Sequence, residues 1–318
     1  MIEKIKKIIL ISFDVFLFPF SLLYLPLLKL IRKYNVRNFW LHKKMFLRMG
    51  VFPIRDHYYD PQFRFSDYFD ASKARLLVID FALRKQIESL RKLSYTDELT
   101  ALPLQGDPKG STFYVNNPSF GPGDCDIYYL IVRNYKPRKI IEIGSGFSTL
   151  ICYEAIKRNI QEGYSTELFC IEPYEMPWLS QMKGIHLIRK EVEKVSLDTF
   201  QVLEENDILF IDSSHIIRPE NDVLFEFLEL LPRLKKGVII HVHDIFTPRH
   251  YPVEWLKEEF RFWNEQYLLE AFLCFNDQFE IMYTLNHLKH EALPEIREVL
   301  KNLNQKDEPA SFWFKKIK

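Results

Sequence analysis

The stretch "IIEIGSGFSTL", residues 140–150, passes from a β-branched run through a glycine turn into residues that open a helix. Ile140, Ile141 and Ile143 favour a strand. Gly144 and Gly146 permit positive φ and close backbone approach, and Ser148 is suited to capping the helix that follows. The same grammar recurs in "ELFCIEPY" (167–174), "IHLIRKEV" (185–192), "DILFIDSSH" (207–215) and "GVIIHVHDIF" (237–246). "IYYLIVRNY" (127–135) has helical spacing before the first of these runs, and "DVLFEFLELLPRLKK" (222–236) reads as an amphipathic helix between the last two. Short apolar strands alternating with helices predict an α/β fold with a Rossmann-like, doubly wound and mostly parallel sheet. Ligands in such sheets sit at the carboxyl ends of the strands, where the strand order reverses.

The polar residues of these runs fall at those ends. Glu172 closes the second strand, where an acidic side chain accepts hydrogen bonds from both hydroxyls of a ribose. It lies 28 residues after Gly144, against roughly 20 in dinucleotide binders, and the polar "NIQEGYSTE" accounts for the longer loop. A full G-x-x-G continuation is missing, so a nucleoside without phosphates suits the turn better than a pyrophosphate. On the last strand His241 and His243 share a face, and Asp244 begins the loop. His241 lies about 6–7 Å deeper than His243 and reads as a hydrogen-bonded histidine beneath the site. Asp212 and His215 reach the neighbouring strand edge about 4.8 Å away, so Asp212, His215, His243 and Asp244 are expected to converge.

Residues 119–288 resemble a class I S-adenosylmethionine-dependent methyltransferase, on "EIGSGFST", "IEPY", "DILFIDSSH" and "GVIIHVHDIF". The branch most similar is a bacterial one associated with sugar or secondary-metabolite hydroxyls. "SFWFKK" (311–316) resembles its final strand, and "DHYYDP" (56–61) resembles a loop near its acceptor pocket. The resemblance implies a seven-stranded sheet and S-adenosylmethionine as cofactor. It implies that Glu142, Gly144, Ser145, Gly146, Ser148, Thr149, Glu172 and Asp212 bind the cofactor, and that His57, Tyr58 and Tyr59 face the acceptor. "DSSH" replaces the aromatic tetrapeptide of amine methylation, which favours an oxygen acceptor: a hydroxyl of a sugar, glycan or related metabolite, conceivably lipid-linked.

Two chemistries suit the His/Asp cluster, and both stay open. An alcohol must lose its proton as the methyl arrives, and a histidine titrating near neutrality is matched to take it; His215, His243 and Asp244 are the catalytic candidates. Alternatively Asp212, Asp244 and His215 hold a divalent ion, magnesium or manganese, that lowers the acceptor's pKa. A metal-dependent hydrolase or lyase built on the same fold is the rival enzyme, and a membrane-tethered scaffold the non-enzymatic one.

The chain's 318 residues are 47% hydrophobic, enough for a large core. Its net charge is zero, yet residues 1–50 hold ten Lys/Arg against Glu3 and Asp14, a local +8 on a body of −8. Residues 8–28, "IILISFDVFLFPFSLLYLPLL", are long enough to cross a bilayer. Asp14, Pro19, Pro26 and basic clusters at both ends point instead to a helix-break-helix that re-enters or lies in the interface. A helix packed on the body is the competing reading, and no small-residue cleavage site follows to suggest a secretory signal. The expected location is the cytoplasmic face of a membrane.

The expected organisation is a membrane-associated helix over 1–34 and an accessory region over 35–118 that covers the active site. The catalytic domain over 119–288 and a C-terminal helix and strand over 289–318 follow. Within these, 69–93 reads as an amphipathic helix with a solvated face and 289–305 as a helix. Lys and Arg are interspersed with acids in the body, so nucleic acid is not an expected partner. Cys125, Cys152, Cys170 and Cys274 are widely spaced and read as reduced thiols. The acceptor's identity and the oligomeric state are left open.

Overall fold

The computed structural model describes residues 2–51, 70–108, 110–259 and 261–318. His57, Tyr58 and Tyr59 lie outside the described residues. The chain divides into two compact units, Met1–Phe69 and Asp70–Lys318.

In the first unit one helix runs from Ile2 to Tyr34 with Pro19 and Pro26 inside it. The expected break into two half-helices is not there. Each proline removes one backbone donor and strains the preceding turn, but leucine-rich turns on both sides keep the ladder going. Leu10, Phe13, Val15, Phe16, Leu22 and Leu23 are each more than half exposed. Lys4–Tyr34 is long and apolar enough to cross a membrane by length and composition, a test that a signal sequence also passes. A 3-10 turn, Val36–Asn38, precedes a second helix, Trp40–Met49, which ends at Gly50 in the left-handed region.

The second unit is built on seven strands: β1 (Lys139–Ile143), β2 (Glu167–Ile171), β3 (Ile185–Ile188), β4 (Ile208–Ile211), β5 (Ile239–Val242), β6 (Phe279–Thr284) and β7 (Phe312–Lys316). Their order is β3-β2-β1-β4-β5-β7-β6. β1 to β5 are parallel, and β7 runs antiparallel to both neighbours. Alternate residues face opposite cores. Ile140, Cys170, Ile208, Phe210 and Ile239 join one cluster, and Ile141, Ile143, Leu209, Ile211, Ile240 and Val242 join the other. Burial on both faces is why these strands read as unbroken apolar runs.

Helices Asp124–Tyr135, Phe147–Gln161 and Leu285–Arg297 supply residues to the first core. Glu265–Leu273 and the turns around Phe225–Leu230 supply the second. The order reverses at β1 and β4, which places the ligand crevice at the ends of those two strands.

Three local expectations are corrected. Of 69–93 only Leu83–Leu90 is helical: Asp80 accepts the N–H of Ala82, whose φ of 47° stops any earlier helix. The C-terminal helix is Leu285–Arg297 rather than 289–305. Segment 222–236 is a short α-turn, Asp222–Leu224, then a π-turn, Phe225–Leu230, and a 3-10 turn, Leu231–Arg233. Pro232 lacks the donor needed to continue an α-helix.

Candidate active site

Gly144 ends β1 with φ +80°, and a Cβ there would lie 1.9 Å from the Asp212 carbonyl oxygen. Only glycine lets the β1 turn and the end of β4 come this close. Gly144→Ala is therefore expected to cost about 3 kcal/mol or more, seen as a large drop in melting temperature; a melt like the wild type's would refute the contact.

The turn is braced from below. The Gly146 N–H donates to Thr149 Oγ1 (3.1 Å), the Thr149 hydroxyl donates to Glu142 Oε2 (2.6 Å), and the Tyr128 hydroxyl donates to Glu142 Oε1 (2.9 Å). Both oxygens of the fully buried Glu142 are thus committed, and it acts on a ligand only through the turn it holds. Thr149 and Ser148 are buried as well, while Gly144, Ser145 and Gly146 line open space.

Burial pushes the Glu142 carboxyl up to about 7, against the Thr149 and Tyr128 hydrogen bonds that lower it. A carboxyl raised in the folded state stabilises below its unfolded pKa near 4.5 and loses that contribution as pH rises through about 7. Glu142→Gln is accordingly expected to flatten the fall of stability between pH 5 and 8, on the order of 2–3 kcal/mol. Melts across that range check it; an unchanged slope would contradict the burial argument.

Three linked clefts run along the carboxyl edge. The first, about 300 Å³, lies beside Gly144, Glu172, Tyr174, Val192, Ser213 and Asn221. The second, about 240 Å³, follows the glycine turn past Ser145, Ser148 and Met176. The third, about 340 Å³, is bounded by Asp124, His243, Asp244, Phe246 and Trp255. Gly144, Glu172 and Asp212 line both of the first two, and Ser119 lines both the second and the third. Glu172 stands where the first two meet, its carboxylate accepting the N–H groups of Ser145 (3.1 Å) and Tyr174 (2.8 Å).

Asp212, His215, His243 and Asp244 do converge. His215 Nε2 lies 3.3 Å from Asp212 Oδ1 and 3.4 Å from Asp244 Oδ2. His243 Nδ1 lies 3.5 Å from Asp244 Oδ1 and 3.8 Å from Asp212 Oδ1. His215 and Asp244 both hold left-handed backbone, φ 61° and 56°, a conformation that non-glycine residues keep only when their surroundings impose it. Burial alone would lower both histidines, but Asp212 and Glu265 raise His215 well above its ordinary value, and Asp212, Asp244 and Asp124 raise His243. Burial would raise Asp212, yet His243 and His215 hold it well below the usual carboxylate range. His241 lies beneath, bonded to Ser311 Oγ (3.0 Å) and stacked 4.1 Å from Phe210.

Asp212, His215 and Asp244 offer donor atoms that all lie within 4.8 Å of one another. Two carboxylates and an imidazole suit a divalent ion such as manganese.

Two residues of this site were not foreseen. Glu265, fully buried at the start of its helix, takes His215 Nδ1 at 2.8 Å and so leaves Nε2 to Asp212 and Asp244. Nothing in "NEQYLLEAF" marks it out. Asp124 accepts the N–H groups of Ala310 (3.0 Å) and Ser311 (2.8 Å) and lies 3.6 Å from His243 Nε2; burial brings it to about 6. In the sequence its one signal is the pair of acids that closes the turn-rich "PSFGPGDCD", 118–126.

Residues 141–245 match the family model described as a methyltransferase domain. This stretch runs from β1 through β5 and holds the glycine turn, Asp212, His215, His243 and Asp244. An uncharacterised protein of Archaeoglobus fulgidus is 32% identical over 138 residues, 42% of this chain and 62% of that protein. The chain thus spans less than two thirds of that curated relative. Among solved structures, the O-methyltransferase TomG of Streptomyces achromogenes, in complex with SAM, is 13% identical, with 76% of this chain and 92% of that one covered and a TM-score of 0.39. An O-methyltransferase of Bacillus cereus in complex with SAH is 14% identical, covering 73% and 91%, at a TM-score of 0.36. Likeness at these scores does not bear on substrate.

Proposed function

We propose that this protein is an S-adenosylmethionine-dependent O-methyltransferase acting on a hydroxyl of a small molecule. The observation that carries this is the row of clefts along the carboxyl ends of the strands that match the methyltransferase model. It leads from Glu172 along the glycine turn to His243 and Asp244. When bound, S-adenosylmethionine supplies an activated methyl group, so the protein has mainly to align and deprotonate. Glu172 would accept the ribose hydroxyls, and the cleft lined by Gly144, Ser145 and Gly146 would take the methionine end. His243 faces the third cleft and takes the acceptor's proton, held by Asp124 on one side and by Asp212 and Asp244 on the other. His215 carries the second imidazole of the cluster, oriented by Glu265. Titration calorimetry of the full chain with S-adenosylmethionine tests the reading, with micromolar binding expected. No binding, together with stoichiometric divalent metal on the protein, would move the assignment to a metal-dependent hydrolase or lyase.

A second role for the cluster is supported by the close Asp212, His215 and Asp244 atoms: those three residues would hold a divalent cation, which would supply the charge that lowers the acceptor's pKa. Turnover insensitive to EDTA would remove it.

The acceptor we favour is a sugar or glycan met at the cytoplasmic face of a membrane, lipid-linked in one form of this reading; the exposed apolar helix Ile2–Tyr34 supports membrane attachment. Deleting residues 2–34 should release the protein from vesicles that lack anionic lipid; unchanged binding to them would count against attachment by this helix.

A further inference from the structure

We infer that the helix Trp40–Met49 is a second membrane element, a surface helix that lies on a bilayer containing anionic lipid. The inference rests on the membrane-attached reading of the first helix and assigns 40–49 to the lipid surface rather than to a cover over the active site. Of its ten residues Phe46 alone is buried. Leu41, Met45 and Met49 stand at i, i+4 and i+8, on one ridge, and are 67%, 57% and 70% exposed. Lys44 and Arg48 form the adjoining ridge, and Lys44 Nζ sits 4.1 Å over the ring of Trp40.

A stripe of long apolar side chains beside a row of basic ones that begins with a tryptophan is the pattern of a helix lying in the interface plane. Its apolar ridge enters the acyl boundary while the cations reach lipid phosphates. Charge complementarity is continuous along the chain: residues 15–55 contain no Asp or Glu and eight Lys/Arg. A nucleic acid would satisfy the cations and leave the Leu41, Met45 and Met49 ridge without a partner. The left-handed Asn35, φ 67°, and the 3-10 turn after it separate this helix from the first, so the two elements are structurally distinct.

The test is a lipid titration of the full chain. The wild type and a K43Q/K44Q/R48Q variant are each mixed with phosphatidylcholine vesicles, with or without about one third phosphatidylglycerol, and the lipid needed for half-maximal flotation is read. Juxtamembrane basic residues contribute roughly a factor of five each on an anionic surface, so the three predict a gain about 100-fold larger for the wild type than for the variant. The variant should lack that excess, and the wild type should lose it in high salt. Equal gains for both proteins, or no gain for either, would overturn the inference while leaving attachment by the first helix intact. Failure of both proteins to float on any vesicle would remove the membrane reading itself. Retention on a polyanion such as heparin without flotation would replace the lipid by another anionic partner.

Discussion

Glu172→Ala is expected to weaken S-adenosylhomocysteine binding by 100-fold or more while leaving the melting temperature of the ligand-free protein within a few degrees. The carboxylate accepts two backbone N–H groups from opposite sides of the crevice, Ser145 at the glycine turn and Tyr174 beyond β2. It is therefore aimed by the fold before any ligand arrives. Two hydroxyls hydrogen-bonded to a charged acceptor contribute roughly 1.5–3 kcal/mol each, and their joint loss is about 3–5 kcal/mol, or two to three decades in affinity. Glu172→Gln keeps the shape and one acceptor and should fall between. Calorimetry of the three proteins distinguishes the cases. A threefold change or less in Glu172→Ala would show that the ribose is held elsewhere.

The second large effect concerns His243. Its alanine variant should lose 10²- to 10⁴-fold in turnover, about what one positioned base contributes, on any acceptor that the wild type methylates. Cofactor affinity should stay near the wild-type value, because the ring borders the third cleft and not the first two. Burial would lower His243, but Asp212, Asp244 and Asp124 raise it above its ordinary value, so turnover should rise with pH through a midpoint above that of an ordinary imidazole. Full activity in a His215→Ala, His243→Ala double variant would end the histidine-base reading. Loss of activity that returned with added manganese would favour the cation.

Much of this was legible in the chain order. Each of β2 to β5 falls inside one of the runs quoted from the sequence, and β1 starts one residue before its run. β1, β4 and β5 are the clearest because a strand buried on both faces reads as a continuous apolar run. The polar residues at the strand ends were legible for the same reason: a charged side chain after four buried apolar ones marks where the sheet edge meets solvent. Helices were less legible. Residues 69–93 have helical spacing throughout, but the sheet's β6 edge and the core under Phe81 decide the path up to Ala82, and a local pattern contains no information on either. The π-turn at Phe225–Leu230 was likewise hidden, since α and π turns share nearly the same apolar spacing.

By itself, then, the sequence determined the order and polarity of the strands, the glycine turn and the acidic residue that follows β2. It also determined the long apolar, acid-poor basic segment at the start of the chain. These are set by local stereochemistry and by which stretches are apolar enough to be buried. Tertiary structure alone decided that Asp124 would stand behind His243, that Glu265 would take the inner nitrogen of His215, and that Glu142 would spend both oxygens under the glycine turn. Each is a contact between residues far apart or on different elements, formed because burying a charged or polar group requires a partner, and the choice of partner belongs to packing rather than to spacing.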